Sequence, residues 1–322
     1  LFHPEKRKEA GSVNASGHSQ LQMDLTADNL FFSLFKEKNC IKSYASEERE
    51  ENLSLNGSAH YSVALDPLDG SSLLDANLAV GSILGVWKDD IFTGAMAAAA
   101  YAVYGPSTIL VLSTGKKVFE FLLEEDAFVS VHELSLKDKG TLYSIGGLKT
   151  KWLPEHAHFV RALENQGYKL RYSGAFVADV HQILMKGGGI FSYPALTDAP
   201  NGKLHLLFEL APFAFLVEHA GGVATDGRQR ILDLPRKDLR QRSAIYIGSR
   251  FEVEKAKVFL EGRELLLPEK KEQTREEKKE ELKETKTLKK VFVPADVPPG
   301  ATETYIQNYL TVTKKVGRLF LF

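Results

Sequence analysis

A layered body of mixed strands and helices, α/β or α+β, is the fold class this sequence predicts, and three observations predict it. Short runs of alternating apolar residues fill much of the first half, the period of half-buried strands. Longer runs with helical apolar spacing dominate the second half. The composition, 43% hydrophobic and 26% charged over 322 residues, is globular and long enough for one large or two modest domains. Elements of both kinds in one chain suit stacked layers better than a sandwich or a bundle.

Taken in order, residues 19–37 set Leu21, Leu25, Phe31, Leu34 and Phe35 near helical spacing, which would carry Asp24 on a helix. Strands follow near 41–46, 61–66, 79–87, 108–113 and 117–123. The alanines of Met96 to Tyr104 favour helix, whereas the Gly105-Pro106 after them and the neighbouring strands favour sheet. Strand is the reading adopted. The second half reads as helices over 154–166 and 177–186, a short strand at 190–193 and a helix over 210–220, with Pro212 in its first turn and Gly221-Gly222 at its exit. A strand at 243–247 and a helix over 251–262 close the folded part.

From Arg263 to Lys290 the chain is dominated by Lys, Arg and Glu, with Glu276–Lys279 and Glu280–Lys283 at i,i+3 spacing. This reads as a solvated linker helix or a disordered spacer; near balance of sign disfavours a basic binding arm. Val291 to Phe322 regains apolar character over a length too short to bury a core alone, and reads as the start of something cut off.

Charge excludes several function classes. Forty-one basic and forty-two acidic residues leave a net charge of −1, so no global field draws the chain to nucleic acid or to an anionic membrane. Cys40 is the only cysteine, which rules out an internal disulfide framework and a Cys-based zinc pattern and fits a reducing, cytoplasmic compartment. No apolar run is long enough to span a bilayer, and the amino end has no signal-peptide core. It does not begin with Met, so the chain reads as an excerpt.

Asp66-Pro67-Leu68-Asp69-Gly70-Ser71-Ser72 is the most informative stretch. It sets two carboxylates in a stiffened turn and follows them with Gly70, Ser71 and Ser72, small residues whose N–H and hydroxyl groups suit a phosphate cradle. Beside such a cradle two aspartates would repel a phosphate unless cations lay between, and hard oxygen ligands at short spacing suit Mg²⁺. An acidic surface turn is the plain alternative. Against it, Tyr61, Val63 and Leu65 alternate with polar or small residues, forming a strand that delivers Asp66 to its end. Glu47-Glu48, at the end of an earlier strand, reads alone as a charged loop, but beside Asp66 and Asp69 it would complete a set of carboxylates needing divalent cations. Glu209, amid apolar residues near a helix start, is either a carboxylate held by the helix dipole or another metal ligand. Arg171, Tyr172, Tyr193, Lys203 and His205 could hold a second phosphate, or serve as core tyrosines and a solvated turn lysine.

Together, Asp66 to Ser72, Ser46-Glu47-Glu48, Arg171 to Val180, Pro200-Asn201-Gly202-Lys203-Leu204 and Ala220-Gly221-Gly222 resemble the class I fructose-1,6-bisphosphatases, in the right order from about Val13 to Leu260. The related inositol monophosphatases carry Trp-Asp-x-Ala where this chain has Glu209-Leu210-Ala211-Pro212. Asn14 to Gly17, Gln20 to Asp24 and Gly146-Gly147-Leu148-Lys149 look closer to the sedoheptulose-1,7-bisphosphatase branch, whereas Pro200 to Lys203 looks like the fructose branch.

The resemblance implies an α+β fold of layered α-β-α-β-α sugar-phosphatase type. It divides the chain into a metal and phosphate subdomain over 1–140, a substrate subdomain over 141–262, the charged linker 263–290 and a truncated final segment 291–322. It implies a Mg²⁺ (or Mn²⁺) cluster on Glu47, Glu48, Asp66, the carbonyl of Leu68, Asp69 and Glu209, with Asp24 and Glu48 preparing the attacking water. Asp69, Gly70, Ser71 and Ser72 would hold the departing phosphate. Tyr172, Tyr193 and Lys203 would grip the sugar and its far phosphate, with Arg171 reaching across the interface of a homo-oligomer, a dimer or tetramer.

The implied activity is hydrolysis of the 1-phosphate of fructose-1,6-bisphosphate or sedoheptulose-1,7-bisphosphate, in gluconeogenesis or the Calvin cycle. Three departures from the family stand out. His18 replaces an Asp of a metal-facing loop, His205 replaces an Arg that supports the distal phosphate, and the chain begins after the family's amino-terminal region, which carries the allosteric AMP site in the regulated enzymes; Gly146 and Lys149 stand where the ordinary fructose enzymes have an Asn and a Tyr touching the distal phosphate. The alternatives are an inositol-monophosphatase-like enzyme, or a weakly active sugar-phosphate-binding regulator. The latter would serve a fused aldolase, because Val293 to Pro299, Tyr305 to Leu310 and Gly317 to Phe322 resemble the opening of an archaeal-type class I fructose-bisphosphate aldolase.

Overall fold

Strand β1 (Glu9–Val13) pairs antiparallel with β2 (Ser19–Leu21), which leads directly into helix α1 (Gln22–Lys36). The computed structural model describes residues 9–13 and 19–263, with side chains from Gln22 onward. His18, the charged segment from 264 and the aldolase-like stretch lie outside the described residues.

An eight-stranded sheet follows from β3 (Ile41–Ser46), β4 (Leu53–Ser54), β5 (Tyr61–Asp69), β6 (Val80–Lys88), β7 (Met96–Tyr104), β8 (Thr108–Ser113), β9 (Val118–Glu124) and β10 (Ala127–Leu134). Its order is β10-β9-β8-β7-β6-β5-β3-β4; only the β3–β5 pair is parallel. The alanine-rich stretch is therefore a strand. Small side chains there let helices close on the sheet, so packing overrides alanine's preference for helix.

The second half adds β11 (Leu142–Ile145), α2 (Pro154–Asn165), β12 (Lys169–Leu170), α3 (Phe176–Met185), β13 (Gly189–Tyr193), β14 (Leu204–His205), α4 (Ala211–His219), β15 (Val223–Thr225), β16 (Arg242–Ser243), β17 (Ile245–Gly248) and α5 (Arg250–Leu260). A five-stranded sheet runs β12-β11-β13-β17-β15, and β14 pairs with β16 alone.

Hydrophobic packing stacks these elements in five layers among the described residues. Phe31, Phe32 and Phe35 of α1 cover Ile41, Tyr44, Val63 and Leu65 of the large sheet. Its other face, with Ile83, Ala99, Tyr101 and Val111, packs on α3 and α4, whose far sides meet Phe191, Ile245 and Ile247 of the small sheet. Phe159 and Leu163 of α2 with Val253 and Phe259 of α5 close the outer layer. Phe213 of α4 stacks on Tyr101 at 4.7 Å and meets the edge of Phe176 at 4.7 Å, tying sheet and both middle helices together. Such ring pairs add about 1 kcal/mol each beyond burial. These residues belong to one compact unit, Leu1–Leu265.

Two local departures from the sequence expectation reposition acidic residues. Asp66 does not end a strand before a turn: β5 continues through Pro67 to Asp69. Its register with β6 slips from Asp66↔Ile83 to Asp69↔Gly81, three residues opposite two. In a regular strand, positions three apart face opposite sides of the sheet; one bulged residue turns the second aspartate to the side of the first. Glu209 lies not in a simple helix start but in a π-helical turn, Leu206–Leu210, before α4. Pro212 has no N–H to offer the carbonyl of Phe208, so the wider turn replaces an α-helical one there.

Gly81 shows how closely the layers meet. A Cβ there would lie 2.1 Å from the Ala102 carbonyl oxygen and 2.9 Å from both Val177 methyls. Gly81→Ala is expected to cost about 3 kcal/mol in urea unfolding, because a backbone carbonyl and the start of α3 must both move. An unchanged midpoint would contradict this packing.

Candidate active site

Three chain segments meet at the carboxyl end of the parallel β3–β5 pair. Glu47 follows β3 and donates its N–H to the Leu65 carbonyl at 3.0 Å, which seats it beside Asp66. The β5 bulge supplies Asp66 and Asp69, and the π-helical turn supplies Glu209. Oxygens of Asp66, Asp69 and Glu209 lie within 4.8 Å of one another, and so do donor atoms of Glu47, His205 and Glu209.

Each carboxylate is held from its backbone side. Asp66 Oδ1 accepts the Leu68 N–H at 2.9 Å, and Asp69 Oδ2 accepts the Val177 N–H at 2.7 Å, from the first turn of α3. Glu209 Oε2 accepts the His205 N–H at 2.5 Å. These bonds leave other oxygens of the set to converge. Asp66, Asp69 and Glu209 are all buried.

Four acids in so little water are electrostatically costly. Burial, then Glu47, Asp69 and Glu209, push the Asp66 carboxyl well above its ordinary range. Burial first raises Asp69 to about 7, with Glu47 and Asp179 adding and the Val177 N–H opposing. Glu209 also moves well upward through burial, Glu47 and Asp69, against the His205 N–H and the Arg242 charge. A set of carboxyl oxygens that resists ionisation while bare is chemically suited to hard divalent cations. The acidic donors thus fit a metal centre.

The predicted phosphate cradle adjoins it. Gly70 adopts φ 78° and leads a short 3₁₀ turn, Ser71–Leu73, whose own bonds run from Leu73 N–H to the Gly70 carbonyl and from Leu74 N–H to the Ser71 carbonyl. The N–H groups of Ser71 and Ser72 lie outside those bonds and open the turn. The missing side chain at Gly70 makes room for protein: a Cβ would fall 2.5 Å from Ala175 Cβ. The start of α3 therefore presses against the cradle.

Asp24 lies buried in the first turn of α1, where neighbouring Met23 packs on Leu74 and Val80 beside Leu68. Glu48 follows Glu47, its N–H bonded to Ser46 Oγ at 3.2 Å. Tyr172 and Tyr193 lie close enough to influence each other; burial pushes the Tyr172 hydroxyl up to about 12, with Tyr193, Asp179 and Asp69 contributing. Gly146 accommodates this arrangement, since a Cβ would meet the Tyr193 ring at 2.3 Å. Lys203 is exposed, immediately before β14. Arg171 is exposed as well and donates to the carbonyl of Leu170 at 2.8 Å, outside the acidic set.

His205, expected beside a distal phosphate, stands against the acids instead. Its Nδ1 is 3.5 Å from Glu47 Oε1 and 3.9 Å from Glu209 Oε2, because the π-helical turn folds Glu209 back over β14. Two contributors escaped sequence reasoning. Asp179 takes the Ser173 N–H at 2.7 Å and the Gly174 N–H at 3.4 Å, fixing the loop that carries Tyr172. A lone acid inside an apolar helix was the signal for it. Arg242 had no local signal at all: it reaches His205 across the β14–β16 pair. It also lines an open cleft of about 580 Å³ between 198–202 and 237–242, beside rather than over the carboxylates.

Known proteins resemble this chain over most of its described length. Residues 7–133 match the family model described as fructose-1-6-bisphosphatase, N-terminal domain, and residues 136–261 match that of the C-terminal domain. The class 1 fructose-1,6-bisphosphatase of Campylobacter concisus is 46% identical over 244 residues, 74% of this chain and 85% of its own length. That of Trichlorobacter lovleyi is 46% identical over 260 residues, 79% and 82% of the two chains. Among solved structures, Leishmania major fructose-1,6-bisphosphatase in holo form superposes with a TM-score of 0.75 at 34% identity, covering 80% of this chain and 86% of that one. A Toxoplasma gondii protein provisionally assigned as a sedoheptulose-1,7 bisphosphatase gives 0.75 at 28%, covering 80% and 87%.

Proposed function

This chain belongs to the fructose-1,6-bisphosphatase family, and from that premise we propose that it is a Mg²⁺-dependent (or Mn²⁺-dependent) enzyme removing the 1-phosphate of fructose-1,6-bisphosphate. The activity class is a phosphoric monoester hydrolase acting on a sugar bisphosphate. The observation that carries the reading is the convergence of Asp66, Asp69 and Glu209 within 4.8 Å beside the Gly70–Ser72 cradle.

Glu47, Glu48, Asp66, the Leu68 carbonyl, Asp69 and Glu209 would hold the cations, which when bound supply charge stabilisation to the phosphoryl group and lower the pKa of water. Asp24 and Glu48 would orient the attacking water and accept its proton. The N–H and hydroxyl groups of Ser71 and Ser72, with the Gly70 backbone, hold the departing phosphate in place. Tyr172, Tyr193 and Lys203 grip the sugar and its far phosphate, Tyr172 being steadied by the loop that Asp179 fixes. Burial beneath α3 excludes bulk water from the acids.

Sedoheptulose-1,7-bisphosphate is the second reading, favoured by Gly146, which leaves the Tyr193 ring no Asn beside it. The exposed Arg171 supports a homo-oligomer in which it reaches a neighbouring subunit's site. Subdomains meeting near 140/141 are supported by the two adjoining family matches. Among the described residues no helix is long and apolar enough to cross a membrane.

Phosphate release with Mg²⁺ on fructose-1,6-bisphosphate, sedoheptulose-1,7-bisphosphate and inositol 1-phosphate tests the proposal. Turnover of the first above the other two is expected. Binding of either bisphosphate without turnover would replace the enzyme with a sugar-phosphate-binding regulator.

A further inference from the structure

His205 and Arg242 face each other directly across the antiparallel β14–β16 pair. Arg242 Nε lies 3.1 Å from His205 Nε2 and donates to it. A guanidinium has five N–H groups and no acceptor, so the imidazole nitrogen it meets must present a lone pair. The ring therefore carries its hydrogen on Nδ1, the nitrogen 3.5 Å from Glu47 Oε1 and 3.9 Å from Glu209 Oε2. Phe208 meets the ring nearly perpendicularly, 87° at 5.8 Å, and the residue is 1% exposed, so the ring is fixed in place.

The opposite tautomer would have a different consequence. With a bare Nδ1, His205 would join Glu47 and Glu209 as a nitrogen donor, all three donor atoms lying within 4.8 Å. Mixed nitrogen and oxygen sets favour Zn²⁺ and its neighbours over Mg²⁺, which prefers oxygen alone. As arranged, Nδ1–H points a donor at the carboxylates and closes that nitrogen to coordination.

Building on the proposed metal centre, we infer that Arg242 is a positioning residue that fixes the His205 tautomer, keeping the centre all-oxygen and selective for hard divalent cations. It acts through the ring, which it meets at Nε2. Outer partners of this kind typically change metal affinity by about 10- to 100-fold.

Mn²⁺ bound to the full chain serves as the probe, read by pulsed electron paramagnetic resonance for ¹⁴N coupling from an imidazole. The native protein is expected to show none. Arg242→Met, similar in length but without a donor, is expected to introduce that coupling and to raise Zn²⁺ affinity relative to Mg²⁺ by about tenfold or more in calorimetric titration. Adding His205→Gln should abolish the coupling, and Arg242→Lys, still only a donor, should retain native behaviour. A circular dichroism melt confirms that each variant folds. Imidazole coupling in the native protein overturns the inference without need of any variant. So does a folded Arg242→Met that binds Mn²⁺ with no coupling and an unchanged Zn²⁺ to Mg²⁺ ratio; in either case the metal centre survives. Native protein that binds no Mn²⁺ removes the metal centre and this inference together.

Discussion

Asp66→Asn is expected to abolish phosphate release, by on the order of 10³-fold, while making the metal-free protein more stable above pH 7. Asparagine has the same shape, and its Oδ1 can still accept the Leu68 N–H that Asp66 takes at 2.9 Å, so the β5 bulge is preserved. What is lost is one negative charge from a buried set whose members repel each other. Burial, Glu47, Asp69 and Glu209 all disfavour the ionised Asp66. Without a cation that charge only costs, and its removal is expected to raise the melting temperature. With a cation it is a ligand. Phosphate release in Mg²⁺, paired with thermal melts in EDTA at pH 8, reads both effects. A variant that loses activity and also melts lower without metal would show that Asp66 serves the fold.

The second large effect is a fall in metal-free stability as pH rises. Asp69 is pushed from 3.8 up to about 7, chiefly by burial, so the folded chain binds its proton more tightly than the unfolded chain does. A carboxyl raised in this way supports the fold fully below its unfolded pKa, and that support disappears as pH climbs through the folded value. The loss should therefore run from about pH 4 to about pH 8. Asp66 and Glu209, displaced in the same direction, deepen it. Ordinary carboxylates that gain a cationic partner show the reverse slope. Melts in EDTA across this range should decline by several degrees, and saturating Mg²⁺ should flatten the profile because the cation replaces the proton as the neutralising charge. A metal-free melting temperature that rises between pH 6 and pH 8 would contradict the burial of these acids.

Much of this was legible along the chain because its signals are local. Alternation marked β5, β6 and β8, apolar spacing marked α2, α3 and α5, and Pro212 with Gly221 bounded α4 to within a residue or two. Asp66 and Asp69 announced themselves by sitting three apart beside small polar residues. The bulge was not legible. A one-residue slip between β5 and β6 depends on how two strands pair, and it alone turns Asp69 to the side of Asp66. The π-helical turn at Glu209 was hidden for a related reason: Pro212 forbids an ordinary bond, but the widened turn also needs β14 to pack against.

By itself the sequence determined the chemistry on offer: two carboxylates beside a cradle, an acid pair after β3, a further acid before α4, and an order of motifs that resembles one family of sugar bisphosphatases. Tertiary structure alone decided which groups meet. It moved His205 from an expected phosphate contact to the flank of Glu47 and Glu209, set Asp69 on the first turn of α3, and brought in Arg242 from 37 residues away. Residue type fixes what a side chain can donate, accept or ionise. Its pKa, its tautomer and its partners are set by distance and burial, which depend on segments far apart in the chain.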